Sequence, residues 1–250
     1  MITILLALAA AQAAAPADPA DDRFRRCADL ARTEPRRAVE TAEAWRGAGG
    51  GMQARSCLGL AYAALGQWPS AATAFEQAAL AAEAGRDPAA ADFRVQAGNA
   101  WLAAGDPARA RTAFDAALAA PSLSPELRGE VHLDRARAAV AAGDLAGART
   151  DIDKGLALVP GDPFGWYLSA ALARRQSDLP RAQDDIARAV SLAPEDAAIL
   201  LEAGNIAGVS GEKEAAMGLY ARAARLAPDS DAGRAAAAAL AANEAPDQSR

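Results

Sequence analysis

Few residues in this chain are of a type that does covalent chemistry, and they are scattered. Cys27 and Cys57 are the two cysteines, and His132 is the single histidine. There is no Cys-x-x-Cys pair for thiol exchange, and no Ser/His/Asp set, phosphate-cradling glycine loop or metal-spaced ligand cluster. The adjacent carboxylates Asp184 and Asp185 lie in an amphipathic stretch, where they read as a solvated face. No catalytic residue, metal site or cofactor is assigned. Recognition chemistry is better supplied. Arg137, Arg174 and Arg175 carry planar forks that match a carboxylate. Asn99 and Asn205 add amides, and Phe164 and Tyr167 add contact area at low entropy cost.

What must position these groups is a repeat. Residues 163–196 and 197–230 are 34-residue stretches in register: Ala182 matches Ala216, Ile186 matches Tyr220, Ala189 matches Ala223, and Leu192–Pro194 recurs at Leu226–Pro228. The same frame runs back through Ala148/Ile152/Gly155, Ala110/Phe114/Ala117 and Ala71/Phe75/Ala78 to a weaker copy at Ala38/Ala42/Trp45. The first residues of these sets are 33, 39, 38, 34 and 34 positions apart. Gly66, Gly105, Gly143 and Gly211 precede four of the sets as turn residues, and Ser177 stands at that place in another. The physical reason is helix packing. Two helices that cross closely need a small residue at the crossing and a large one a turn away. A single pair cannot bury its apolar face alone, so the pairs stack into a continuous core.

These residues resemble the tetratricopeptide repeat family, whose pattern places Trp, Leu-Gly and Tyr on a first helix and Ala, Phe, Ala and Pro on a second. The resemblance rests on Leu58, Gly59, Tyr62, Ala71, Phe75 and Ala78, then on Gly98, Trp101, Ala110, Phe114 and Ala117, with Trp166, Gly204 and Tyr220 further on. It covers roughly residues 22–230, and departs from the pattern where Arg135 and Ala136 replace Leu-Gly. It implies an all-α, right-handed superhelical solenoid of about six helix-turn-helix repeats, working as a non-enzymatic protein-interaction scaffold. In the family, first helices line the concave wall that holds a peptide. Projected onto this chain, that wall is Asp92, Val95 and Asn99, then Glu130, Leu133 and Arg137, then Phe164, Tyr167, Arg174 and Arg175, then Leu201 and Asn205. Asn99 and Asn205 fall where ligand-binding members use Asn to hold a peptide backbone. The three arginines suggest a protein or peptide partner with an acidic segment. The full Lys, Asn, Asn, Lys and Arg clamp is incomplete, and the sequence leaves open that these are ordinary solvated helix faces. His132 takes the place of Trp166 in the frame, which makes it a packing residue.

Repeat boundaries are expected at 22–51, 52–90, 91–128, 129–162, 163–196 and 197–230, with a capping helix at 231–243 and a disordered tail at 244–250. Extra residues after Glu83 and at Pro121–Pro125 are placed at inter-repeat turns, where insertions are tolerated. Residues 1–15 form an apolar run too short to span a bilayer and end in Ala11-Gln12-Ala13, an A-x-A cleavage pattern followed by a linker at 16–21. This reads as a removed signal peptide, although the run lacks a Lys or Arg before it. The alternative is an Ala-rich extension. Export to a bacterial periplasm would be oxidising, and Cys27 and Cys57 lie on neighbouring first helices, so a disulfide between them is expected. Two separately buried thiols are the alternative. Apolar residues make up 52% of the chain and aromatics 5%, which suits close-packed helices and not a large hydrophobic pocket. The net charge of -6 argues against nucleic acid as a partner, and no membrane span is expected.

Overall fold

A computed structural model describes residues 19–244. Among them are thirteen α-helices and no strand. The first twelve form six hairpins: α1 (Pro19–Thr33) with α2 (Pro35–Gly47), α3 (Gly51–Ala64) with α4 (Trp68–Gly85), α5 (Ala90–Ala103) with α6 (Pro107–Leu118), α7 (Pro125–Ala141) with α8 (Leu145–Leu158), α9 (Pro163–Arg175) with α10 (Leu179–Leu192), and α11 (Ala197–Val209) with α12 (Lys213–Leu226). A last helix, α13 (Asp231–Glu244), packs on α11 and α12. Each hairpin also packs on the next, which gives the all-α solenoid of stacked helix pairs.

Helix starts are written locally. Asp106, Asp144, Asp162, Asp178 and Asp196, together with Ser124, each cap a helix by accepting a backbone N–H of its first turn. Proline follows the cap in α6, α7 and α9, where its missing N–H costs nothing. Inside the hairpins, Ser177 holds the turn at φ +61, a left-handed backbone that its glycine counterparts adopt freely. α4 is the longest helix at 18 residues and stops at Arg86, itself left-handed at φ 55.

The core is built on alanine. Ala38, Ala71, Ala110, Ala148 and Ala182 are fully buried at the crossings, and Ala216 nearly so. In three hairpins a ring lies over a glycine: Phe75 over Gly59, Phe114 over Gly98, Tyr220 over Gly204. A Cβ on any of these glycines would come within about 2.6 Å of the ring. The α7–α8 and α9–α10 hairpins use Ala136 with Ile152 and Ala170 with Ile186 instead.

Some boundaries differ from expectation. α1 begins at Pro19, so residues 19–21 are helical and not linker, and Glu244 still belongs to α13. The signal peptide at 1–15 and the tail beyond Glu244 lie outside the described residues. Cys27 of α1 and Cys57 of α3 are bonded, with their Cα atoms 6.0 Å apart and both side chains buried. Among the described residues no helix is long and apolar enough to cross a membrane.

Candidate functional site

The wall in question runs along the first helices α5, α7, α9 and α11. It is less open than a list of its side chains implies, because most polar members are already engaged. The Asn99 amide donates to Asp134 at 2.8 Å, and Asp134 also accepts from Arg137 at 2.9 Å. Arg174 grips Glu202 with two parallel bonds, Nε to Oε1 at 2.7 Å and Nη2 to Oε2 at 3.1 Å. Glu202 is buried, so this pair is shielded from water, and the bond to Glu202 holds the Arg174 guanidinium above its usual range against the opposing effect of burial. Asn205 donates to the same carboxylate at 3.0 Å and accepts from the Tyr220 hydroxyl at 3.1 Å.

Arg174 is therefore not a free cation, and the amides of Asn99 and Asn205 are committed to internal acids. Asp134 and Glu202 are the residues that sequence reasoning missed. A signal existed for both, since Asp134 stands three positions before Arg137 and Glu202 three before Asn205; the pairing of Glu202 with Arg174 on another helix carried none. Leu133 corrects the projected wall more sharply. It is 2% exposed and sits against Gly155 of α8 and Gly165 of α9, in the core. Where four other repeats carry Ala at the place of Gly155, this repeat leaves room, and Leu133 fills it.

What stays on the surface is compact. Phe164 is 42% exposed and stacks on Tyr167, with ring centroids 5.8 Å apart and planes at 21°. The Arg137 guanidinium lies 5.8 Å from the Phe164 centroid. Burial, and then Glu202, push the Tyr167 hydroxyl above its usual range, so it is a neutral hydrogen-bonding group at physiological pH. Arg175 is exposed and has no acid partner among the described residues. Between α7 and α9 the wall opens into a cleft of about 220 Å³, with Arg137, Tyr167 and Arg175 at its rim and Ala136, Ile152 and Leu172 among its apolar lining. Asp92 and Glu130 are exposed, whereas Val95 and Leu201 are half-buried and pack on the core.

Behind the wall lies a buried polar network. Asp151 of α8 accepts from Arg135 at 2.6 and 2.9 Å and sits 3.0 Å from His132 Nδ1. Burial raises the Asp151 pKa, but the bonds to His132 and Arg135 win and hold it at about 2. In α10, Asp185 accepts from buried Ser169 and from Arg181, so it is an interior residue and not the solvated one expected from its amphipathic stretch. Arg149 donates to the Ser169 hydroxyl at 2.6 Å and to its carbonyl at 3.0 Å. The departure at Arg135 is explained: it replaces an apolar residue together with a facing acid. Among the described residues no group of three His, Cys, Asp or Glu is placed to hold a metal.

Stacked helix hairpins with a wall of first-helix side chains define a helical-repeat interaction protein. The tetratricopeptide repeat profile matches residues 57–125, 95–163 and 167–231, more than half of the chain, and the chain belongs to that family. Its fold is similar to PilW, described as a widely conserved type IV pilus biogenesis factor, with TM-score 0.71 and 20% identity over 88% of this chain and 99% of that one. It is also similar to Pseudomonas aeruginosa PilF, with TM-score 0.66 and 17% identity over 89% and 100%. The Cut9 complex with Hcn1 gives TM-score 0.67 and 16% identity over 89% of this chain and 42% of that one. At these identities the likeness is one of fold. No curated protein matches in sequence.

Proposed function

We propose that this chain works without chemistry of its own, as a scaffold that holds a protein or peptide segment along the wall of α5, α7, α9 and α11, in the bacterial periplasm. The observation that carries this is the exposed Phe164–Tyr167 stack beside Arg137, because a large ring left in water on a repeat protein's inner wall is contact area awaiting a partner. Arg175, with no acid partner among the described residues, favours an acidic stretch in that segment, and the net charge of -6 argues against nucleic acid. The test is capture from envelope extract by the wild type and by Phe164→Ala with Arg175→Glu. The variant is expected to lose the partner while keeping its helical content and melting temperature. Equal capture by both places binding elsewhere. Export is checked by mass spectrometry of the native protein: a terminus near Ala13–Ala15 supports it, and intact Met1 in a cytoplasmic fraction overturns it.

A second reading, an accessory subunit of a cell-envelope assembly, is favoured by the near end-to-end match with PilW and PilF. It predicts stoichiometric co-purification with a large envelope complex that survives the wall variant.

A further inference from the structure

Three of the six hairpins lack the ring-over-glycine pair: α1–α2, with Arg26 and Ala42 at those places, α7–α8 and α9–α10. Where Phe75, Phe114 and Tyr220 cover a glycine, the ring occupies the room between one first helix and its second helix. In the α7–α8 hairpin, Ala136 takes up part of that room, and Ile152 is shorter than a ring. Beside this pair a cleft of about 220 Å³ opens between α7 and α9, with Ala136 and Ile152 in its lining. A second cavity, about 420 Å³, lies against Ile186, another ringless position, among α10, α11 and α12. That one is rimmed by Gln183 and Glu212, which bond each other, so the only charge at its rim is an acid.

The α7–α9 cleft differs in its rim. Arg175 is exposed with no acid partner among the described residues, Arg137 is held by Asp134, and the Phe164–Tyr167 stack adjoins. Its volume is below the roughly 300–1,000 Å³ that hold a whole small molecule, so one large side chain is the fitting occupant.

We infer that this cleft is an anchor pocket for one aromatic side chain of a partner segment, and that Arg175 holds a carboxylate beside that residue. The inference rests on the reading of the wall as a protein-binding surface. The partner's ring lies between α7 and α9 in this cleft, and a partner acid supplies the counter-charge for Arg175.

The probe is a fluorescein-labelled peptide, Gly-Gly-Asp-Phe-Asp-Gly, with one counterpart carrying Ala for Phe and another carrying Asn for both Asp. Fluorescence polarisation on the full chain is expected to show the Phe peptide binding about tenfold or more tighter than the Ala peptide. Ala136→Gly with Ile152→Phe rebuilds the pair seen at Gly98 and Phe114 and closes the pocket from within. Ala171→Leu narrows its mouth without touching the core, and so serves if the first variant misfolds. Either variant should reduce the Phe preference to less than about twofold. Arg175→Ala should remove the preference for Asp over Asn while leaving that for Phe. Equal binding of the Phe and Ala peptides, no binding of either, or an undiminished Phe preference in the pocket-filled variants overturns the inference. The capture experiment with Phe164→Ala and Arg175→Glu does not depend on these peptides, so the wall reading stands or falls separately.

Discussion

Asp151 shows how a single buried acid is kept charged inside a helical repeat. Its carboxylate is shared between His132 and Arg135, and its pKa of about 2 lies below the ordinary 3.8. Because the folded value is the lower one, this carboxylate stabilises the fold fully above about pH 4, and its contribution, about 2 kcal/mol, is lost as pH falls towards 2. Asp151→Asn is expected to lower stability by about 2 kcal/mol at neutral pH, since it leaves part-buried Arg135 with exposed Asp115 as its acid partner. Urea unfolding of wild type and variant between pH 6 and pH 2 checks this, and the gap between them should shrink on acidification. A constant gap would show that the pair is not what Asp151 contributes. Replacing both partners, Arg135→Leu with Asp151→Ala, reproduces Leu58 and Ala74 of an earlier hairpin and should cost less than about 1 kcal/mol.

At the scale of the helix pair, the glycine and the ring form one unit. Gly98 has no space for a Cβ because the Phe114 ring would lie 2.5 Å from it. Gly98→Ala is expected to destabilise by about 1–3 kcal/mol through overpacking. Phe114→Ile alone opens a cavity and also destabilises. Made together, they recreate the Ala136–Ile152 pair that the chain itself uses, so the double variant should be more stable than the sum of the single effects predicts. A double-mutant cycle by chemical denaturation decides it: strict additivity would mean that the two positions are not coupled. A repeat protein can therefore alternate between a filled and an open crossing by changing two residues, one on each helix. In the α7–α8 hairpin the Ala136–Ile152 pair stands beside a cleft on the wall.

Across the whole molecule, contacts run almost entirely between neighbouring elements, and stability should be correspondingly local. The Cys27–Cys57 bond ties α1 to α3 across a separation of 30 residues. Closing a loop of that size contributes about 3–4 kcal/mol on the chain-entropy account, and it acts on the end hairpin, whose α1 is largely polar. Cys27→Ser is expected to raise hydrogen exchange in α1 and α2 strongly while leaving α9 to α12 unchanged. Exchange that rises evenly along the chain would show that the array unfolds as one unit. The same locality has a consequence for binding: a partner seated on α7 and α9 should protect those helices and their immediate neighbours, not α1.

The architecture was legible in the sequence because it depends on periodic steric needs. A small residue recurs at each crossing from Ala38 to Ala216, a turn residue precedes it, and a cap opens the next helix; each of these is a local demand that a residue type answers. The positions of the wall helices followed from the same frame. The state of the wall did not, because it depends on which charges meet across a helix interface. Arg174 and Glu202 lie on different helices, and nothing in either segment states that their side chains will pair. Likewise Leu133 shares a helical face with Arg137, yet it is drawn inward because Gly155 and Gly165, on two other helices, leave a void there. Sequence by itself determined the repeat, the helix ends and the candidate face; only the tertiary structure decided which side chains on that face remain unpaired. The physical reason is that backbone preferences act within a segment, whereas charge neutralisation and void filling act between segments that meet only after folding.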